Sequence, residues 1–559
     1  MDRFNLGPHT WTISTTSPQA QRWFNLGVNW CYGFNRGEAI KCFLKALEFD
    51  PDCVMAHWGM AYAAGPFYNL AWREYGEHEA NAATKLGYDH ILRARALAGR
   101  ATELENKLVE AIARRIQKTH AVPAEEYDRW DDDYAAEMRR VYFSHRDDQD
   151  VASLYIEALI TRTPRRLWDV KTGQPAKGSD VMEALQACEH SMQRADKLGE
   201  TQHPAILHLY IHALEMSNTP QLGMRAADVL APMCPDSGHL SHMPGHIYVL
   251  CGDYEKARLT SVRAIRANDM FLDYAGPLTF YTVACCHDLH LMMHTSMFLG
   301  RYKDALHAAD KICALLTKDV LSVRGRPKFA MSLEGYYATR MHVLVRFGRW
   351  QDIIDAVLPD DPGLYLVTTA MHHYAKGVAH ATVKNFREAD AERARFHLSV
   401  GRIPKERRFF NNPAHHILAV GEKMLDGELE YHKGNHEVAY EHLRESVRRD
   451  DNLQYIEPWA WMHPPRHALA ALLSEQAHYE EAERVYRDDL GLSSRIQRCA
   501  QHPDNVWALH GLVECLQIRS DAKELPALRE KLTAAQKRAD VPITSSCMCR
   551  TNAGTDCCA

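Results

Sequence analysis

The sequence predicts an all-α protein, an α-solenoid of helix hairpins curving around a concave groove. Three observations carry that reading. Helical periodicity starts abruptly near Trp23 and continues through most of the chain. An aromatic or similar residue recurs three positions before a small or apolar one, at Tyr254 and Ala257, Tyr302 and Ala305, Trp350 and Ile353, Phe386 and Ala389, His436 and Ala439, and Tyr479 and Ala482. Strand signatures are essentially absent.

In chain order, residues 1–19 are rich in Ser, Thr and Pro and short on periodicity, so a flexible amino-terminal arm is expected. From 20 to 540 the pattern predicts one continuous helical domain. It opens with Trp23, Leu26, Gly27, Trp30, Ala39, Phe43, Ala46 and Pro51. This series resembles the tetratricopeptide repeat (TPR), a helix hairpin of about 34 residues. Gly27 and Ala39 would let the two helices approach, large apolar residues would fill the seam, and Pro51 would end the second helix. His57, Trp58, Met60, Ala61 and Tyr62 open the next unit. Residues 80–165 read as further hairpins of nonstandard length. Residues 163–178, TPRRLWDVKTGQPAKG, read as a long loop able to cover a groove. Residues 541–559 form a Cys-rich carboxyl-terminal tail.

Composition narrows the function. The chain has 559 residues, 66 basic against 72 acidic, and a net charge of -6 without a long basic block, which argues against nucleic acid as a partner. No apolar run is long enough for a membrane span, and the start lacks a signal-peptide pattern. A soluble, cytoplasmic protein is expected. The 15 cysteines are scattered through helical patterns, as buried thiols would be. The 32 histidines are the outlier, and they cluster.

His239, His242 and His246 stand at i, i+3 and i+7, one stripe of a helix. The spacing returns at His287, His290 and His294. One repeat back from Gly245 stand His208, His212 and Glu215. In the TPR frame these positions line the concave groove, so the resemblance implies that neighbouring hairpins aim eight histidines and one carboxylate inward. Many imidazoles in one place suit a transition metal, which binds them neutral. The i, i+4 pairs His208 and His212, His242 and His246, and His290 and His294 favour joint ligation. Glu215 is the candidate catalytic residue, as ligand, orienter or general base.

Imidazole donors suit copper, zinc or iron, and the affinity order favours copper. Met243, Met292, Met293 and Met297, together with the tail SSCMCRTNAGTDCCA, lean the same way. Cys547 and Cys549 form C-x-C and are candidate metal-handling residues; Cys557 and Cys558 follow. Trp58, Tyr62, Trp459, Arg466, His467 and Asn505 are the candidate substrate contacts: an aromatic wall, a cation for a carboxylate or phosphate, and groove-facing polar groups.

The reading that follows is a metal-dependent enzyme, most simply a copper oxidoreductase acting on a small organic substrate. The alternatives are a zinc-dependent hydrolase or lyase, and a non-catalytic TPR protein for interaction or metal delivery. A protein partner would bind through the repeat surface. No serine or cysteine nucleophile motif and no phosphate loop is present.

Overall fold

The first helices show how the sequence sets the hairpins. Ser17 caps the helix Pro18–Tyr32 by accepting from the Ala20 N–H, and Pro18 takes the first helical position, where a missing N–H costs nothing. Asn35 then caps Arg36–Phe49 by accepting from the Glu38 N–H. Between them the chain turns in three residues, Gly33 to Asn35. Phe43, fully buried, lies against Gly27 on one side and Gly59 on the other; a Cβ at either glycine would sit 2.5 or 2.6 Å from its ring.

The structure is a computed structural model and describes residues 3–322, 327–519 and 523–550. It is mostly helical and built of antiparallel helix hairpins. Among the described residues the only strands are two antiparallel pairs of two residues each, Trp168–Asp169 with Gln174–Pro175 and Arg408–Phe409 with Asn412–Pro413. No described helix is long and apolar enough to cross a membrane.

The chain divides into two compact units, Met1–Ile247 with Arg263–Ala284, and Tyr248–Val262 with Cys285–Ala559. The sequence pattern predicts one continuous domain over 20–540; the chain packs most densely within each of these two units.

In the first unit Val54–Ala64 pairs with Glu77–Ala96, Glu103–Arg115 with Ala124–Ser144, and Gln149–Thr161 with Val181–Leu198, before Pro204–Glu215. The expected amino-terminal arm is held down. Phe4, Leu6, Trp11 and Ile13 are buried, Phe4 edge-on to Trp30 and Trp11 edge-on to Trp58. Apolar side chains spaced too irregularly to read as helix still bury their area, and that holds the segment. An ion pair lies in this unit's interior: Arg115 meets Glu157 at 3.0 Å, both buried.

In the second unit the hairpins are Leu366–Thr382 with Phe386–Gly401, Ala414–His432 with His436–Asp450, Pro465–Glu475 with Tyr479–Asp489, and Val506–Ile518 with Leu525–Gln536. The described part of the carboxyl-terminal tail packs onto this unit, with Ser545, Ser546 and Cys549 buried. Cys557 and Cys558 lie outside the described residues.

Candidate metal centre

Two segments of the first unit carry the site. Pro204–Glu215 starts at His203, whose ring Nδ1 accepts from the Ala205 N–H, and it presents His208 and His212 one turn apart. The stripe at His239 is broken by Pro244: Gly238–His242 ends at Met243 and a new helix runs Pro244–Leu250. Proline lacks the N–H that a continuous helix would use there. The histidines still converge. Ligand atoms of His208, His212 and His239 lie within 4.8 Å of one another, and so do those of His212, Glu215 and His246.

Hydrogen bonds fix the tautomers. His208 Nδ1 stands 2.9 Å from the backbone carbonyl of Tyr32, which can only accept, so His208 carries its proton there and keeps a lone pair on Nε2. His212 Nδ1 lies 2.9 Å from Glu215 Oε1, and His212 Nε2 has no hydrogen-bond partner. Nε2 of His208 is 3.1 Å from Nε2 of His239. On the other side of Glu215, its Oε2 is 2.5 Å from His246 Nδ1, and His246 Nε2 is 2.6 Å from His242 Nε2. Glu215 thus backs one imidazole of each group, the arrangement by which carboxylates orient metal-binding histidines.

All of these groups are 3% exposed or less. Burial, with the neighbouring imidazoles acting in the same direction, holds His208 and His212 well below the usual histidine range, so both rings are neutral. Burial lifts Glu215 above the usual carboxylate range, opposed by the hydrogen bond and charge of His246. His208 and His212 thus offer neutral nitrogens with lone pairs, which a cation needs, and a buried carboxyl stands behind His212. The sequence frame had them lining an open concave face; they are enclosed.

The enclosure comes from residues that sequence reasoning missed. Phe34 lies 4.5 to 5.9 Å, centroid to centroid, from His208, His239 and His212, nearly parallel to the last. Tyr68 lies 4.4 Å from His212. Phe34 has φ +59, a left-handed conformation costly for a residue with a Cβ. Gly33 and Asn35 on either side of Phe34 are a turn signal that could have marked it, whereas nothing local marks Tyr68 or the Tyr32 carbonyl. Within residues 163–178, which hold the first strand pair, Trp168 Nε1 donates to the Ala213 carbonyl on the histidine helix at 2.7 Å.

The remaining expected site residues are spread over both units. His287, His290 and His294 belong to the second unit. There His290 Nε2 meets Met462 Sδ at 2.9 Å and stacks on Phe410, and His294 packs on Phe298. Trp58 and Tyr62, in the first unit, stack at 5.0 Å, and Tyr62 receives the Arg36 guanidinium on its face. In the second unit, Trp459 donates to Asp450. Asn505 caps Val506–Ile518, and its side-chain amide also donates to Asp489. His467 bonds Asp489 and Arg346. Arg466, expected to meet a substrate anion, is buried in a two-pronged pair with Asp451 at 2.5 and 2.7 Å, so its fork is already used. Cys547 and Cys549, expected to handle metal, are joined to each other as a disulfide, and a disulfide sulfur is not a thiolate ligand.

No protein-family model matches the chain, and no curated protein matches it. Among solved structures it is similar to the human IFIT1 dimer with m7Gppp-AAAA, at 9% identity and TM-score 0.32, over 93% of this chain and 91% of that one. The APC/C hetero-tetramer Cut9-Hcn1 follows at 12% identity and TM-score 0.28, over 89% and 76%. Yeast Tom70 stands at 10% identity and TM-score 0.26, over 92% of each. Scores this low carry no argument about function. On its own helix pairing, the chain is an all-α protein of helix hairpins with a buried histidine cluster that could hold a metal ion.

Proposed function

We propose that the chain is a metal-dependent enzyme whose ion is held by Nε2 of His208, His212 and His239, and that it acts on a small organic substrate. One observation carries this reading: three buried imidazoles from two separate segments converge, and acceptors behind two of them fix the lone pairs inward. The donor set is nitrogen alone, which suits copper, zinc or iron; the affinity order favours copper, and with it an oxidoreductase. Such an ion would supply one-electron redox chemistry to a bound substrate. Within the chain, Glu215 orients His212 and His246 and holds a proton between them, His242 and His246 extend that path, and Phe34 and Tyr68 exclude water.

The zinc-dependent hydrolase or lyase keeps the same ligands and is favoured by one feature, the carboxyl of Glu215 next to the imidazole cluster. A peptide-binding role for these histidines has less support, because groups exposed by 3% or less are out of reach of a docked peptide.

The test is metal analysis of protein purified without a histidine tag, with electron paramagnetic resonance of the bound ion. About one ion per chain is expected, lost in His208→Ala and His212→Ala, with a copper(II) signal if the redox reading holds and a silent ion if zinc is bound. A folded wild-type chain that takes up none of these metals would end the proposal.

A further inference from the structure

We propose that the second unit contains a separate site for a small organic carboxylate, anchored on Arg346, and that residues 545–549 strap it shut. The proposal does not rest on the metal reading. A cavity of about 10 Å³ is lined by Arg346, Met424, Glu428, His463, His467 and Cys547, among others. That is room for about one water.

Two of its walls are unusual. Glu428 is 1% exposed, and neither carboxyl oxygen has a hydrogen-bond partner. Burial pushes it up to about 8, so it stands protonated at neutral pH, as a donor. Arg346 is 5% exposed and lacks a carboxylate partner at ion-pair distance among the described residues. Its Nη1 meets the His467 ring at 2.9 Å, its Nη2 donates to the Ser546 carbonyl, its plane lies over Trp507 at 3.8 Å, and its Nε has no partner. The nearby carboxylate of Asp489 is taken by His467, His502 and Asn505.

A planar guanidinium is built to take a carboxylate in a fork, and a buried one without a counter-ion is costly. Here its partners are neutral, and one is a backbone oxygen of the strap, placed where a carboxylate oxygen would bind. The strap is buried and held at Ser546, whose Oγ meets the Tyr486 hydroxyl and donates to the His467 carbonyl at 3.1 Å, and at Arg550, which pairs with Glu514. A ligand that displaced Ser546 would pair one carboxylate oxygen with Arg346 and accept from protonated Glu428 with the other.

The experiment uses the full chain and acetate as the probe, titrated by calorimetry at pH 7, with hydrogen exchange of the strap amides. Tyr486→Phe removes one hold on the strap and is expected to tighten acetate binding about fivefold; Arg346→Gln in that background should abolish it. Glu428→Gln keeps a donor and should retain binding, whereas Glu428→Leu should weaken it about tenfold. Acetate should also speed exchange in residues 545–549 of the wild type. Should Arg346→Gln fail to fold, the exchange result decides: strap amides unmoved at saturating acetate overturn the proposal. Acetate bound equally well by wild type and Tyr486→Phe, by neither of them, or by a folded Arg346→Gln overturns it as well.

Discussion

Glu215 Oε1 lies 2.9 Å from His212 Nδ1, and because the carboxylate accepts there, the opposite nitrogen of the ring is left with its lone pair facing His208 and His239. The same carboxylate reaches His246 with its other oxygen. One residue therefore sets the orientation of two rings. Replacing it with Gln leaves one oxygen to accept and turns an amide N–H₂ toward the second imidazole. Glu215→Gln is expected to lower metal affinity by about 10–100-fold, as loss of a carboxylate behind a metal-bound histidine does. Competition against a chelator measures it, and an unchanged affinity in the folded variant would remove Glu215 from the site.

Buried histidines elsewhere make stability depend on pH. Burial lowers His342 to about 3, and burial, assisted by nearby positive groups, lowers His372 to about 4. In the unfolded chain both titrate near 6.5. Below that value the unfolded state binds protons that the native state refuses, so stability falls as pH drops from about 6.5 towards the folded values. Each such group contributes a slope of up to about 1.4 kcal/mol per pH unit. Urea unfolding at pH 5 and pH 7 should show the loss, and His342→Gln should flatten the slope by about one proton. A slope identical to the wild type would contradict it.

The seam of the first hairpin gives a packing prediction. Gly27 and Gly59 hold the Phe43 ring from two sides, with no room for a Cβ at either. Gly27→Ala should destabilise the first unit by about 1–3 kcal/mol through overpacking, and Phe43→Leu in the same chain should recover part of it. Thermal denaturation of the two variants decides the matter, and additive losses would mean that ring and methyl do not meet.

That seam was legible in the sequence because a repeat states its contacts at fixed spacing: Gly27, Ala39 and Phe43 could be placed before any coordinate. The histidine cluster was legible for the same reason, as far as His208, His212, His239, His242, His246 and Glu215. Three things were not. Periodicity is blind to where one core stops, so the division near Ile247 did not show. Burial of Phe4 and Trp11 depends on partners distant in sequence, and spacing cannot reveal them. The fork of Arg466 was read as open because nothing in the pattern announces that Asp451 would occupy it.

Phe34 offers a test that separates strain from packing at the metal centre. Its φ of +59 is unfavourable for a residue with a Cβ, yet its ring covers His208, His212 and His239. Phe34→Ala removes the ring and keeps the strain; Phe34→Gly removes both, since glycine enters the left-handed region freely. Both variants should be less stable than the wild type by a few kcal/mol, the usual cost of deleting a buried aromatic ring. Phe34→Gly should nevertheless be more stable than Phe34→Ala by about 1 kcal/mol, the reverse of their order at an ordinary helical position. Both should also admit water to the imidazoles, which solvent-proton relaxation of the metal-loaded protein would register. If Phe34→Ala were the more stable of the two, the left-handed turn would not be what holds the ring over the histidines.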